Sequence, residues 1–115
     1  MANTFKQISK AGVTSSDVIY TVAGSTTTVV LGLIIGNTQS SDITVTLTID
    51  TDTSARSGAN NEANQAVELL TTTTIPANSS LELLAGNKIV LEATDVINLT
   101  ASAAADISIS VMEIT

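Results

Sequence analysis

Four carboxylates bracket one polar stretch of the chain, Asp42, Asp50, Asp52 and Glu62. Clustered carboxylate oxygens are what a hard cation such as calcium takes as ligands. The stretch DTDTSARSGANNE opens like a calcium loop but departs from one. No acidic or amide side chain stands at the third ligand position, and Gly58 is displaced from the point where such a loop turns sharply. No metal is expected. The 11 acidic residues also invite a glycosidase pair, one acid with a raised pKa beside an ionised partner. Such sites carry aromatic sugar platforms, and the only large rings here are Phe5 and Tyr20, so a solvated acidic surface is the simpler reading. Serines and threonines are numerous, yet with no His, no Cys and no G-x-S-x-G there is no activated nucleophile. No catalytic residue, cofactor site or enzyme activity is expected.

Composition narrows the partners in the same direction. A formal charge of -7, from 11 acidic and 4 basic residues, opposes binding to nucleic acid or to an anionic membrane surface. The absence of Cys excludes a disulfide framework and a thiolate metal site. MANTFKQISKAG lacks the apolar run of a secretory signal, and VVLGLII (29–35) is far shorter than the roughly 20 residues needed to cross a bilayer, so a soluble protein is expected. NLT at Asn98 and NSS at Asn78 are glycosylation acceptors only in a secreted eukaryotic protein, a context nothing here suggests. GLIIG (32–36) has the small-xxx-small spacing of membrane helix pairs, but its β-branched surroundings predict a buried strand with close backbone approach. Tyr20 is expected at the edge of the core with its hydroxyl on a polar partner, and Lys88 in solvent at a hairpin.

The elements that must carry these residues are strands. In DITVTLTID, Ile43, Val45, Leu47 and Ile49 fall on one face and Thr44, Thr46 and Thr48 on the other, a period of two. ADISISVMEI repeats it, with Ile107, Ile109 and Val111 opposing Ser108, Ser110 and Met112. Further extended stretches are predicted at 17–23, 27–37, 78–86, 87–93 and 95–102, and others near Phe5 and Val67, separated by turn-formers such as Gly24-Ser25 and Pro76 to Asn78. NNEANQAVELL has room for a helical turn or two, but the threonine run after it favours extended chain. The expectation is one all-β domain, a small antiparallel β-sandwich or jelly roll of about eight short strands. Residues 1–12 form an arm or edge strand on a body of 13–115, with a long polar loop at 51–65 that runs over the surface or between sheets. Hydrophobic residues make up 43% of the chain and aromatics 2%, so the core is built from Val, Ile, Leu and Ala, each contributing roughly 1.5–3 kcal/mol when buried. Partner subunits would widen that thin margin.

MANTFK, IYTVAGSTTTVVLGLIIGNT and IPANSSLELLAGNKIVLEATDVINLTASAAADISISVMEIT together resemble the short virion structural proteins of tailed bacteriophages, notably those of marine bacteria and cyanobacteria. The resemblance spans most of the chain except 51–65, and its signatures are strand and turn patterns, so it carries over no reactive residue. It implies a non-enzymatic component of the virion, assembled in the host cytoplasm. The role expected is capsid decoration or cement, self-associating as a homo-oligomer, expected to be a trimer, on the phage major capsid protein. A tail, baseplate or fibre-associated subunit is the alternative, and a host-glycan-binding adhesion module the second. Sheet edges must be paired, covered or charged. The arm and the long loop are therefore the expected contacts with a neighbouring subunit or the particle, through Phe5, Lys6, Ile8, Arg56, Asn60 and Asn61.

Overall fold

A computed structural model describes residues 2–52, 61–84 and 87–115. Among the described residues nine strands run in order: β1 (Asn3–Val13), β2 (Asp17–Thr21), β3 (Thr27–Asn37), β4 (Ile43–Thr51), β5 (Gln65–Ile75), β6 (Ser80–Glu82), β7 (Ile89–Leu91), β8 (Val96–Ala101) and β9 (Ala105–Ile114). There is no helix among the described residues, and the stretch expected to weigh helix against strand extends through β5. The strands form two antiparallel sheets, which we call A (β1-β9-β3-β6, with β7 also on β3) and B (β2-β8-β4-β5).

This order is that of a jelly roll, in which the chain passes from one sheet to the other as it winds inward. Ile34–Gly36 of β3 pairs with β6 and Thr28–Val30 with β7, so β6 and β7 fill one strand position with a break between them. Nine strands thus occupy eight places, in agreement with the count expected from sequence. The lengths differ from that expectation: β1, β3 and β5 each run to eleven residues, whereas β6 and β7 have three each.

The two faces of each strand divide as the period of two requires. Ile43, Val45, Leu47 and Ile49 of β4 face Leu33, Ile35, Ile107, Ile109 and Val111 of sheet A, and the interior they share is almost wholly aliphatic. Thr44, Thr46 and Thr48 lie half-buried on the outside of sheet B. Bulges interrupt β4–β5 on both sides of Leu47, and Thr72 of β5 takes a left-handed φ of 46°. Thr51 pairs with Gln65, so the polar stretch expected as a surface loop or inter-sheet connection joins two neighbours of sheet B and not the two sheets. Its residues 53–60 lie outside the described residues.

Two expectations about β3 resolve differently. GLIIG is in a strand as expected, but no close approach of backbone requires its glycines. A Cβ built on Gly32 would meet nothing within 4 Å, and one on Gly36 would meet only the Asp106 carbonyl oxygen at 3.9 Å, an ordinary contact. Asn37 closes the end of the same strand. Its side-chain Nδ2 donates to the carbonyls of Ser41, Ile75 and Pro76 at 2.9–3.1 Å and its Oδ1 accepts the Gln39 N–H at 2.8 Å, tying the β3–β4 turn to the one after β5.

The aliphatic interior has a measurable consequence. Leu47 and Ile109 face each other's sheets with no exposed surface. Truncating either to Ala should cost about 2–5 kcal/mol, through lost transfer energy and the cavity left behind. A urea unfolding curve measures it, against a Thr48→Ala control on the outer face of the same strand that should shift by less than about 1 kcal/mol.

Candidate functional site

β1 forms one border of sheet A and, among the described residues, pairs only with β9, in unbroken register from Asn3–Ile114 to Lys10–Ile107 before a bulge at 11–12, where Gly12 takes a φ of 71°. Register decides which way its side chains point. Lys6, Ile8 and Lys10 stand beside Val111, Ile109 and Ile107, which are buried, so these three turn toward the interior. Phe5, Gln7 and Ser9 stand beside Met112, Ser110 and Ser108 and turn outward.

The inward set closes the open side of the sandwich. Ile8 packs against the core. Lys10 Nζ pairs with the Asp17 carboxylate at 2.8 Å, joining β1 of sheet A to β2 of sheet B. Lys6 Nζ pairs with Glu113 Oε1 at 2.8 Å, and the other oxygen of Glu113 accepts the Tyr20 hydroxyl at 2.6 Å. The same hydroxyl lies 2.8 Å from Thr28 Oγ1, whose residue is fully buried. Tyr20 sits on sheet B and Glu113 and Thr28 on sheet A, so this polar chain spans both layers and ends on the edge strand. Burial, reinforced by the hydrogen bond to the Glu113 carboxylate, pushes the Tyr20 hydroxyl up to about 12. The Lys6 ammonium, followed by the Tyr20 hydroxyl, holds Glu113 below its ordinary 4.5.

The outward set makes a surface of another kind. Ladder pairing aligns Phe5, Met112, Val29 and Val90 in one row across four strands. Phe5 is the chain's only phenylalanine and is 72% exposed, and Val90 is 61% exposed. Two rows further along the strands, Ser9, Ser108 and Ile34 border an open groove of about 490 Å³, also lined by Ala11 and Gly36, with Lys10 and Asp106 beside it. On the outward positions of β1, β9 and β3 the only charge is Asp106, which accepts the Gly12 N–H at 3.0 Å. A chain of net charge -7 thus keeps the part of this face formed by β1, β9 and β3 nearly free of charge and rich in apolar side chains, with Glu82, paired with Ile34, at its far border. Exposed apolar groups gathered in one place mark contact surfaces more often than isolated ones do.

The six candidate contacts therefore separate. Phe5 is in the apolar row, Lys6 and Ile8 are turned to the interior, and Asn61 donates from Nδ2 to Glu92 Oε2 at 2.8 Å. Arg56 and Asn60 lie outside the described residues. Tyr20 has the polar partner expected of it, and Lys88 is exposed. The carboxylates do not converge: Asp42 begins the β4 hairpin and caps the Ala77 N–H, while Asp50 at the other end of β4 accepts from Asn98. Eight residues of strand separate them, about 26 Å. Asp52 gives its N–H to Asp95, and Asp95, 1% exposed, also accepts the Glu92 N–H.

Sequence reasoning passed over Glu113, Thr28 and Asp95, although Glu113 left a signal. It has the parity of Ile107, Ile109 and Val111, so a carboxylate on the inward stripe calls for a partner. The apolar outer row was also signalled, since VVLGLII is apolar at both parities whereas β3 buries only one side.

No protein-family model matches the chain, and no curated protein matches it in sequence. Among solved structures, the fold is similar to a chain of the disulfide-linked pili that form Bacillus endospore appendages. The identity is 16% and the TM-score 0.50, covering 99% of this chain and 87% of that one. It is also similar, at a TM-score of 0.45 and 7% identity, to a chain of the T13 IBDV viral particle, covering 96% of this chain and 35% of that one. These likenesses concern the fold. With no cysteine, this sequence offers no disulfide link of its own.

The polar chain can be read directly, because Tyr20 is the only tyrosine and there is no tryptophan. Ultraviolet titration of the phenol should give a midpoint near 12, and Glu113→Gln should lower it while leaving it above the ordinary 10, since burial is the larger cause. Glu113 is held low, so its contribution to stability is complete above pH 4.5 and is lost as pH falls through its folded value. Urea midpoints should therefore drop more steeply below pH 4.5 in the parent than in Glu113→Gln.

Proposed function

We propose that this chain is a non-enzymatic structural subunit of a tailed-phage virion, self-associating and bound to the particle as a capsid decoration or cement protein. The observation that carries this reading is the outer face of sheet A, where Phe5, Val29, Val90 and Met112 stand in one row on a nearly uncharged surface beside the free edge of β1. A solitary acidic protein gains nothing from that arrangement, whereas a subunit gains burial from it. The sequence adds its resemblance to short phage structural proteins and its lack of His and Cys, the residue types that most often activate a nucleophile or hold a metal. A jelly roll alone would not select a role, because one fold hosts many functions.

In this role the protein strengthens a shell by buried area and not by chemistry, and it stabilises whatever it binds by mass action. β5, the other eleven-residue border strand, carries bulges and a left-handed residue that blunt it against indiscriminate pairing, so contacts favour the β1 side and the outer face of sheet A.

Sedimentation of the full 11.7 kDa chain should give a defined oligomer. Cryo-electron microscopy of particles should place copies over the icosahedral shell, and shells stripped of the protein should release DNA at lower temperature. Density at a single vertex would assign it to the tail instead, and a monomer that binds no particle would refute the reading.

A further inference from the structure

The geometry points to the outer face of sheet A as a self-complementary docking surface for a second copy of this chain, packed face to face about a two-fold axis along the row Gln7–Ser110–Gly32. It rests on the self-association proposed above and names the surface responsible.

Three observations on that face fit together. Gly32 and Gly36 sit inside a strand, where glycine costs conformational entropy. Neither has a left-handed φ, and nothing among the described residues would collide with a Cβ at either; Gly32 follows the bulge at Leu31, a usual place for glycine, whereas Gly36 has no such local reason. Glycine within a strand is also found where another backbone approaches closely. Here the approach would come from outside, onto a floor that Ser9, Ala11 and Ser108 keep low as well.

The raised and the low parts of the face are placed symmetrically. On β1 and β9 the row of Phe5 and Met112 lies two residues to one side of Gln7–Ser110 and the row of Ser9 and Ser108 two residues to the other, about 6.6 Å each way; on β3 a bulge at Leu31 sets Val29 three residues from Gly32, whereas Ile34 is two away. A two-fold axis along the central row exchanges them. Phe5 of one copy then stands over Ser9 of the other, Met112 over Ser108, and Val29 over Ile34, so each apolar row fills the other copy's groove. That reciprocity is what a two-fold contact demands.

Charge selects the same occupant. Two copies each carrying -7 repel, and close approach is cheapest where neither presents charge. The outward positions of β1, β9 and β3 meet that condition apart from Asp106, which lies beyond the central rows and is held by Gly12, and on the fourth strand position Glu82, paired with Ile34, is a second carboxylate, at the border of the face. Taking four strands and nine residues of length, the footprint is about 550 Å² per copy, or about 1,100 Å² in all, enough for a specific though modest interface.

The test uses the full chain in sedimentation equilibrium. Ser110 is exposed and on the axis, so Ser110→Arg sets two like charges face to face. It should raise the dissociation constant of self-association at least about 100-fold with the urea midpoint unchanged. Ser110→Asp should do the same, and it serves alone if arginine strains the strand. An equimolar mixture of the two variants should recover association, because opposite charges then meet across the axis. Association of both variants at the parent's affinity would overturn this surface while leaving self-association through another one intact. Failure of the mixture to recover would overturn the two-fold arrangement, and a parent monomeric at every concentration would overturn the self-association on which it rests.

Discussion

The structure depends on two sheets meeting through thin aliphatic side chains with almost no aromatic bulk between them. Leu33, Ile35, Leu47, Leu99 and Ile109 are sealed from solvent, and the only ring at the interior is Tyr20 at its margin. Each such side chain contributes modestly, so the fold relies on many of them interlocking at once. That demand explains the strict alternation in β4 and β9, because a slip of one residue would turn a whole stripe outward.

A two-layer sandwich is open along its sides, and here one side is closed by polar groups. Lys6 and Lys10 reach from β1 to Glu113 and Asp17, while Tyr20 carries the connection from sheet B to Thr28 and Glu113 on sheet A. Charged side chains pointing inward from an edge strand also discourage unselective pairing of that edge. The same residues thus hold β1 in place and restrict what pairs with it. Asn37 and Asp95 do comparable work at the turns, where each satisfies several backbone groups of neighbouring loops. Among the described residues, no buried side-chain polar atom is left without a partner.

What remains unsatisfied is apolar and lies outside. The interior needs only one face of sheet A, yet Phe5, Val29, Ile34, Val90 and Met112 occupy the other, beside glycines at which a Cβ would meet no close contact. Stability within one chain accounts for the inner face, and the proposed association would account for the outer one. The surface proposed for function is therefore marked by exposed apolar side chains and not by a reactive group.

Period-two stripes of Ile, Val and Leu were enough to determine the fold class, the approximate strand number and the inward residues of β4 and β9, because burial on one face of a pleated strand acts through local spacing. The missing His and Cys were likewise plain in the composition. The sequence did not reveal that Lys6 and Ile8 turn inward while Phe5 turns outward, since an edge strand with little apolar alternation leaves its parity open until β9 sets the register. Nor did it reveal that Tyr20, Thr28, Glu113 and Lys6 meet, as they lie up to 107 residues apart and come together only when the two sheets stack. Local periodicity could say which residues avoid water, but only cross-strand pairing and layer packing could decide which of them find each other.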